Sequence, residues 1–273
     1  MSATTVISAT RSDRLRQFLK DLWTYRELFV TFVERDLRVR YKQTALGVVW
    51  VMLQPLVMTF AFAVIFGRIG KMSTDGMHPM LFYFAALVPW TAFARAVSGS
   101  ALSIEGSANL IAKVYFPRLA VPSALVFASF FDFAIGLTLL NGVALWFGKW
   151  SLQLLALIPL LAVIQAATAL GIGVVLAVIN AQYRDVKHVV HFLVQMMLFA
   201  TPVIYPLSAL PEWAQKLAFL NPMAAVVTSY RACLQQAPLD FVLIGSSLVM
   251  AFIYLWVGVW FFRKREARLA DVL

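Results

Sequence analysis

The most distinctive side chain in this sequence is an acid in an apolar setting. Asp132 is the only charged residue between positions 119 and 148. A carboxylate in such a position can carry a proton or an ion, contact a substrate, or form an ion pair inside a helix bundle. No other uncharged stretch holds a second acid or a base at its centre, so the sequence offers no complete proton relay. An ion-coupled carrier that uses Asp132 and a structural role for this residue both stay open.

The sequence lacks the motifs of the common enzyme classes. The phosphate-binding pattern Gly-x-x-x-x-Gly-Lys-Ser/Thr is absent, because the Gly-Lys pairs at 70–71 and 148–149 are followed by Met and Trp. The patterns His-Glu-x-x-His and Gly-x-Ser-x-Gly are absent too, and the three histidines have no acids at metal-ligand spacing. We therefore expect no metal and no cofactor in this chain, and a protein that moves a substrate rather than an enzyme. A membrane-embedded transferase is the least favoured alternative.

Composition places these residues in a membrane. The chain of 273 residues is 62% hydrophobic and 13% charged, against about 45–50% and about 25% in a soluble domain. Its mean hydropathy is +0.81, which excludes a soluble enzyme and a disordered chain. The net charge of +10 would suit a nucleic-acid-binding protein, but in so apolar a chain it indicates charged cytoplasmic edges. We expect membrane lipids as its surroundings and no nucleic-acid partner.

Six stretches are long enough to cross a bilayer, which needs roughly 20 helical residues. Backbone polar groups must be satisfied inside lipid, and these stretches lack the alternation of barrel strands, so each predicts a helix. The predicted spans lie near residues 46–66, 79–97, 120–147, 152–179, 189–207 and 241–262. The fold class is therefore an all-α integral membrane protein with six transmembrane helices.

The distribution of positive charge predicts the orientation. With both termini in the cytoplasm, 18 of the 23 Lys and Arg residues fall on the cytoplasmic side, as the positive-inside rule requires. We divide the chain into a cytoplasmic N-terminus, 1–34, a transmembrane domain, 35–265, and a cytoplasmic tail, 266–273. The N-terminus contains apolar residues at helical spacing from Leu15 to Phe32, which predicts an amphipathic helix in the membrane interface.

The segments between the spans carry further patterns. The basic run 35–42 precedes the first span and is, at its simplest, a topology signal. The loop 98–119 is long enough for a cytoplasmic helix that a proline ends, and 180–187 is a shorter cytoplasmic connection. The segment 205–231 is broken by prolines, and its uncharged part, 217–230, is too short to span. We expect re-entrant or interfacial half-helices there, before the last span.

Four motifs together resemble the ABC-2 type permeases that export polysaccharides such as O-antigen and teichoic acid. They are Arg35–Leu56, Asn109–Arg118, Tyr183–Val186 and Pro202–Met223. They occur in the order and at the spacing of that family, and the resemblance covers residues 14–265. It implies a multi-pass protein of the bacterial inner membrane that forms a homodimer and pairs with a separate cytoplasmic ATPase dimer. ATP and Mg²⁺ would bind that partner, and the substrate would be a glycan linked to undecaprenyl diphosphate.

The resemblance also implies residue roles. Residues 14–33 would be the interface helix, 105–118 a coupling helix that receives the ATPase stroke, and 183–187 a second contact. The implied coupling residues are Glu105, Asn109, Leu110, Lys113, Tyr115, Phe116, Arg118, Arg184 and Asp185. The segment 205–222 would be the outer (periplasmic) gate, with the residues Tyr205, Pro206, Trp213, Asn221 and Pro222.

Two further groups follow from the proposed transport of a lipid-linked glycan. Cations of the basic run, namely Arg35, Arg38, Arg40 and Lys42, would attract the diphosphate of the carrier lipid to the cytoplasmic entrance. Aromatic and polar residues inside the spans would give a moving sugar chain weak, repeated contacts. The channel candidates are Trp50, Gln54, Phe60, Trp90, Asp132 and Phe199. The identity of the glycan stays open, as does the alternative of an ABC-2 permease for a small molecule, drug or lipid.

Overall fold

The structure is a computed structural model that describes residues 25–42, 47–111, 113, 116–183 and 185–272. These residues form helices joined by turns and short extended segments, with no strand among them. The prediction of an all-α membrane protein is confirmed. The helices are α1 Arg26–Lys42, α2 Gly47–Phe62, α3 Pro79–Gly106, α4 Ala108–Ile111, α5 Ala120–Trp146, α6 Leu152–Gln182, α7 Val186–Ala200, α8 Glu212–Leu217, α9 Pro222–Gln235 and α10 Phe241–Val272. A π-helix, Ala63–Ile69, continues α2, and short 3₁₀-helices cover Leu207–Ala209 and Ala218–Leu220.

Five of the six predicted spans are present as long apolar helices in the described part of the chain. They are α2 with its π-helical end, α3, α5, α6 and α10. The helices Glu212–Leu220 and Pro222–Gln235 form a pair bent by 107°, which is either a broken span or a re-entrant loop. This pair lies where half-helices were predicted, before the last span.

The predicted span 189–207 is wrong in its extent. The helix there, α7, has only 15 residues and ends at Ala200. Pro202 and Pro206 lie just beyond that end, and proline lacks the N–H that a continuing helix would need. At about 1.5 Å per residue, α7 is shorter than the roughly 30 Å of a hydrocarbon core.

The segments that were predicted to be cytoplasmic also differ from the prediction. Helix α3 continues past the predicted end at residue 97 to Gly106. Glu105 therefore lies in its last turn rather than in a separate coupling helix. The four-residue helix α4 follows, and Phe116 and Pro117 are not helical. The single helix predicted over 105–118 is therefore wrong, because Gly106 favours a break and the Ser107 carbonyl instead accepts the first hydrogen bonds of α4.

The interface helix and the basic run form one helix. Helix α1 covers Arg26–Lys42 and continues across the boundary predicted at residue 34. Its buried Phe32 packs against Phe116, with ring centroids 5.4 Å apart, and α1 runs against α5. The part of the predicted interface helix before residue 25 lies outside the described residues.

Helix α3 is the centre of the fold. It packs against both α5 and α6, and 78% of its most apolar stretch is buried within the chain, against 22% for α2 and 28% for α10. Helices α6 and α10 meet backbone to backbone at two glycines. A Cβ added to Gly171 would lie 2.4 Å from the Tyr254 carbonyl carbon, and one added to Gly258 would lie 2.3 Å from the Gly171 oxygen. Only glycine fits at these two positions.

Candidate functional site

Asp132 lies between two arginines from different parts of the chain. Its Oδ2 atom accepts hydrogen bonds from Arg40 Nη1 and Arg95 Nη1, both at 2.7 Å, and the side chain is 4% exposed. The Tyr41 hydroxyl donates to Oδ1 of the same carboxylate. The sequence left open whether Asp132 is paired within the helix bundle, and the structure pairs it with Arg40 of α1 and Arg95 of α3.

Two further side chains extend this arrangement, which we name the Asp132 cluster. Arg40 also donates to Asp36 at 2.5 Å, and Arg95 donates to Gln54 Oε1 at 2.7 Å. Two cations and two acids give a balanced formal charge, held by charge-assisted hydrogen bonds. Burial raises the pKa of Asp36, although the neighbouring Arg40 guanidinium opposes this shift.

The Asp132 cluster connects four helices. Asp36, Arg40 and Tyr41 come from α1, Gln54 from α2, Arg95 from α3 and Asp132 from α5. A small cavity between α2, α3 and α5 borders it, with Arg95, Asp132 and Thr91 as its polar wall. Both oxygens of the Asp132 carboxylate accept hydrogen bonds from side chains of other helices. The geometry therefore supports a role in helix positioning more than an ion-coupled carrier.

The four predicted entrance cations separate into two groups. Arg40 belongs to the Asp132 cluster, and Arg35 donates to Ser107 Oγ at 3.4 Å. Arg38 and Lys42 are exposed, and Arg38 forms an (i, i+4) pair with Glu34 at 3.2 Å. Arg38 and Lys42 thus face outward, whereas Arg40 connects helices.

The predicted channel residues lie in different environments. Trp50, Phe60 and Phe199 are exposed on α2 and α7, where they face either lipid or a passage. Trp90 is 5% exposed and packs against Phe93 within the core. Trp90 thus packs inside the chain, because α3 is surrounded by other helices, and its channel role stays a prediction. Gln54 and Asp132 belong to the Asp132 cluster.

Some of the predicted coupling residues are exposed, and others attach their segment to neighbouring helices. Asn109, Lys113 and Asp185 are exposed, and Leu110 is half-buried. Phe116 is buried against α1, as described above, and Glu105 accepts a hydrogen bond from Asn180 of α6 at 2.8 Å. The Arg118 guanidinium donates to the backbone carbonyl of Glu266 on α10. Tyr115 and Arg184 lie outside the described residues.

The predicted gate residues gather at the end of α7. The Tyr205 hydroxyl donates to the Phe199 carbonyl at 2.6 Å. Asn221 Nδ2 donates to Thr201 Oγ1 at 2.9 Å, and Asn221 Oδ1 accepts from the Met223 amide as the N-cap of α9. Pro206 and Pro222 are buried, and Trp213 is exposed. Tyr205 and Asn221 thus satisfy the last turn of α7, where the chain leaves the helix.

Sequence reasoning missed two arginines, Arg95 and Arg231. Arg95 lay near the end of the predicted span 79–97 and Arg231 in the segment 205–231, and both were used only as charges that report orientation. In the structure Arg95 belongs to the Asp132 cluster, and Arg231 is buried on α9, where it is 5% exposed. The signal that could have found them is an arginine within a helix whose other residues are largely apolar.

These features define a multi-pass membrane protein: long apolar helices, a broken pair before the last span, and ionic contacts between helices. The chain matches the ABC-2 type transporter family over residues 27–234. Because this match covers well over half of the chain, the protein belongs to that family. It is a multi-pass protein of the bacterial inner membrane and a transport subunit rather than an enzyme, and ATP hydrolysis in such transporters belongs to a separate ATPase.

Similar proteins cover nearly the whole chain. The O-antigen export system permease protein RfbA of Myxococcus xanthus is 29% identical over 258 residues, which are 93% of this chain and 98% of that protein. The RfbA protein of Klebsiella pneumoniae is 27% identical over 248 residues, or 90% and 95% of the two chains. The polysialic acid transport protein KpsM of Escherichia coli is 22% identical over 240 residues, or 85% and 91%.

Proposed function

We propose that this chain is the permease of an ATP-driven exporter that moves a lipid-linked cell-surface polysaccharide, such as O-antigen, from the cytoplasm to the periplasm. The observation that carries this proposal is the end-to-end similarity to permeases named for O-antigen export, which reaches 98% of the Myxococcus xanthus protein. A third relative is named for the transport of polysialic acid, another glycan. We expect the carrier lipid to be undecaprenyl diphosphate.

The working assembly is a homodimer with a cytoplasmic ATPase dimer, which binds ATP and Mg²⁺. One chain supplies too few helices to surround a glycan. Helix α2 leaves most of its apolar surface outside the core, with Trp50 and Phe60 on it, and α7 exposes Phe199. A second copy opposite these faces would give a passage lined with aromatic rings, against which sugar faces can stack.

The ATPase contact is the segment from Glu105 to Arg118, with Asp185 beside it. Exposed Asn109 and Lys113 face outward, while Phe116 and Arg118 attach the segment to α1 and α10. A push on this surface therefore reaches several helices. The separation of exposed and anchored side chains is what supports the coupling role.

The two ends of the passage are assigned by charge and by backbone irregularity. Exposed Arg38 and Lys42 would attract the diphosphate of the carrier lipid at the cytoplasmic entrance. The non-helical residues after α7 and the bent pair α8 and α9 would form the outer gate, with Tyr205 and Asn221 at its hinge. Irregular backbone in a membrane protein occurs where it is buried in protein or lines a water-filled cavity.

Deleting the chain and restoring it from a plasmid tests the proposal. Without it, surface glycan measured with a glycan-specific antibody should disappear while lipid-linked glycan accumulates inside the cell. Purified permease alone should hydrolyse no ATP, whereas its complex with the ATPase should. Normal surface glycan in the deletion strain, together with accumulation of a small molecule or drug, would favour the alternative ABC-2 substrate class.

A further inference from the structure

Arg231 is an arginine whose hydrogen bonds all go to backbone carbonyls. Its Nε donates to the Phe82 oxygen at 3.2 Å. Its Nη1 donates to the oxygens of Pro202 and Tyr205 at 2.6 and 3.2 Å, and its Nη2 to that of Val203 at 2.7 Å. The guanidinium also lies 3.5 Å from the centroid of the Phe82 ring. Among the described residues no carboxylate forms a salt bridge with it.

Three of these carbonyls belong to the stretch where the chain leaves α7. Residues 201–204 are buried but not helical, so the carbonyls of Pro202 and Val203 lack the partners that a helix would supply. An unpaired carbonyl in a buried, apolar setting is costly. Four of the five N–H donors of one guanidinium are used at this point, and no other side chain has that donor geometry.

The same stretch holds the end of α7 and the predicted gate residue Tyr205. The Tyr205 hydroxyl donates to the Phe199 carbonyl of α7, while its own carbonyl accepts from Arg231. The fourth carbonyl, of Phe82, fixes this arrangement to the first turns of the central helix α3. Arg231 thus joins α9, the end of α7 and α3 at one point.

We propose that Arg231 is the positioning residue of the outer gate, and that its guanidinium holds residues 202–205, and through them the outer end of α7, in the closed arrangement. This inference rests on the proposed function, which assigns 205–222 to the gate. In this arrangement α3 and α9 are the fixed part of the gate, and Tyr205 and the end of α7 are positioned against them.

Reconstituted vesicles that contain the permease with its ATPase test this role. The variants are Arg231→Lys, which keeps the charge but not the fork of donors, and Arg231→Gln, which loses the charge and most donors. Lys216→Gln, at an exposed cation on α8, is the control for lost charge in the same region. Leak of a small dye that is trapped in the vesicles reports whether the gate is open.

Cys233 supplies a separate report on the fold. It is the single cysteine of the chain and is fully buried, two residues from Arg231. Labelling of this chain by a water-soluble maleimide therefore reveals loss of packing around α9. We expect Arg231→Lys to leave Cys233 protected while dye leak rises severalfold, Arg231→Gln to leak more, and Lys216→Gln to match the original protein.

The outcomes separate the inference from the gate proposal. Unchanged leak in Arg231→Lys, or labelling of Cys233 in that variant, would overturn the positioning role, since the residue would then be dispensable or merely structural. Tyr205→Phe, which removes the bond to the Phe199 carbonyl, is the test of the gate itself. Leak in Tyr205→Phe without leak in Arg231→Lys removes only the inference. Leak in none of the three variants removes the outer-gate proposal as well.

Discussion

The Asp132 cluster and the Arg231 site are two arginine environments that compensate positive charge differently. In the Asp132 cluster, two arginines share one carboxylate, and each has a second side-chain partner, Asp36 or Gln54. At the Arg231 site a single guanidinium is held by main-chain carbonyls and an aromatic face. Side-chain partners can be exchanged as helices move, whereas main-chain carbonyls fix one geometry. The Asp132 cluster therefore joins helices through side chains, whereas the Arg231 site holds the backbone of residues 202–205.

The two sites also differ in their access to water. Arg40 and Arg95 are 29% and 28% exposed at their side chains, so solvent compensates part of any lost partner. Arg231 is 5% exposed, so water compensates much less for a lost partner there. Single substitutions should therefore cost more at the Arg231 site.

Arg231→Gln is expected to give the largest loss of stability. Glutamine cannot reach all four carbonyls, and each unsatisfied buried group costs about 1–3 kcal/mol. The midpoint of thermal unfolding in detergent should fall well below that of Lys216→Gln. An unfolding midpoint equal to that of the control would mean that the carbonyls find other partners.

Asp132→Asn is expected to come second. Removing one partner of a buried ion pair typically costs about 3–5 kcal/mol, but the partial exposure of both arginines should reduce this to about 1–2 kcal/mol. Glycan export should be reduced rather than abolished, as judged by surface antibody staining at matched protein levels. Complete loss of export in a variant that remains stable would favour the ion-coupled alternative.

Arg40→Gln and Arg95→Gln should each cost less than Asp132→Asn. Asp132 keeps one arginine in either variant, so we expect about 1 kcal/mol for each. The double variant should cost more than the sum of the two, since it leaves the carboxylate without a cation. Simple additivity in unfolding experiments would show that the two arginines do not share Asp132.

Glu105→Gln is expected to have the smallest effect on stability. Glu105 is exposed and is bonded to Asn180, so the loss should stay below about 1 kcal/mol. Export and ATP hydrolysis by the complex should nevertheless fall if the segment receives the ATPase stroke, with Glu27→Gln on α1 as the control. Unchanged export and hydrolysis would exclude Glu105 from the coupling contact.

The sequence predicted those parts of the fold that depend on local composition. Long uncharged stretches gave five spans, and prolines correctly indicated a broken segment before α10. The end of α3 was placed too early because Arg95 interrupts an uncharged stretch. Inside α3, the Arg95 guanidinium donates hydrogen bonds to Gln54 and to Asp132, which is 37 residues away in sequence.

The candidate site was less predictable for a related reason. Asp132 stood out from its neighbours, but its partner Arg40 is 92 residues away, and a single sequence carries no sign of such a pairing. Arg231 was counted as a loop charge because counting cations by side gives no information about burial. Trp90 was placed in the channel because aromatic composition does not distinguish a central helix from one that faces a passage.

The glycine contact between α6 and α10 has a mechanical consequence. The two backbones touch at Gly171 and Gly258 with no room for a side chain between them. The helices therefore cannot slide past each other without first separating. Just before α5, the Arg118 guanidinium donates a hydrogen bond to the Glu266 carbonyl of α10. A displacement of Arg118 should therefore tilt α6 and α10 together as one rigid unit, without sliding of one helix along the other.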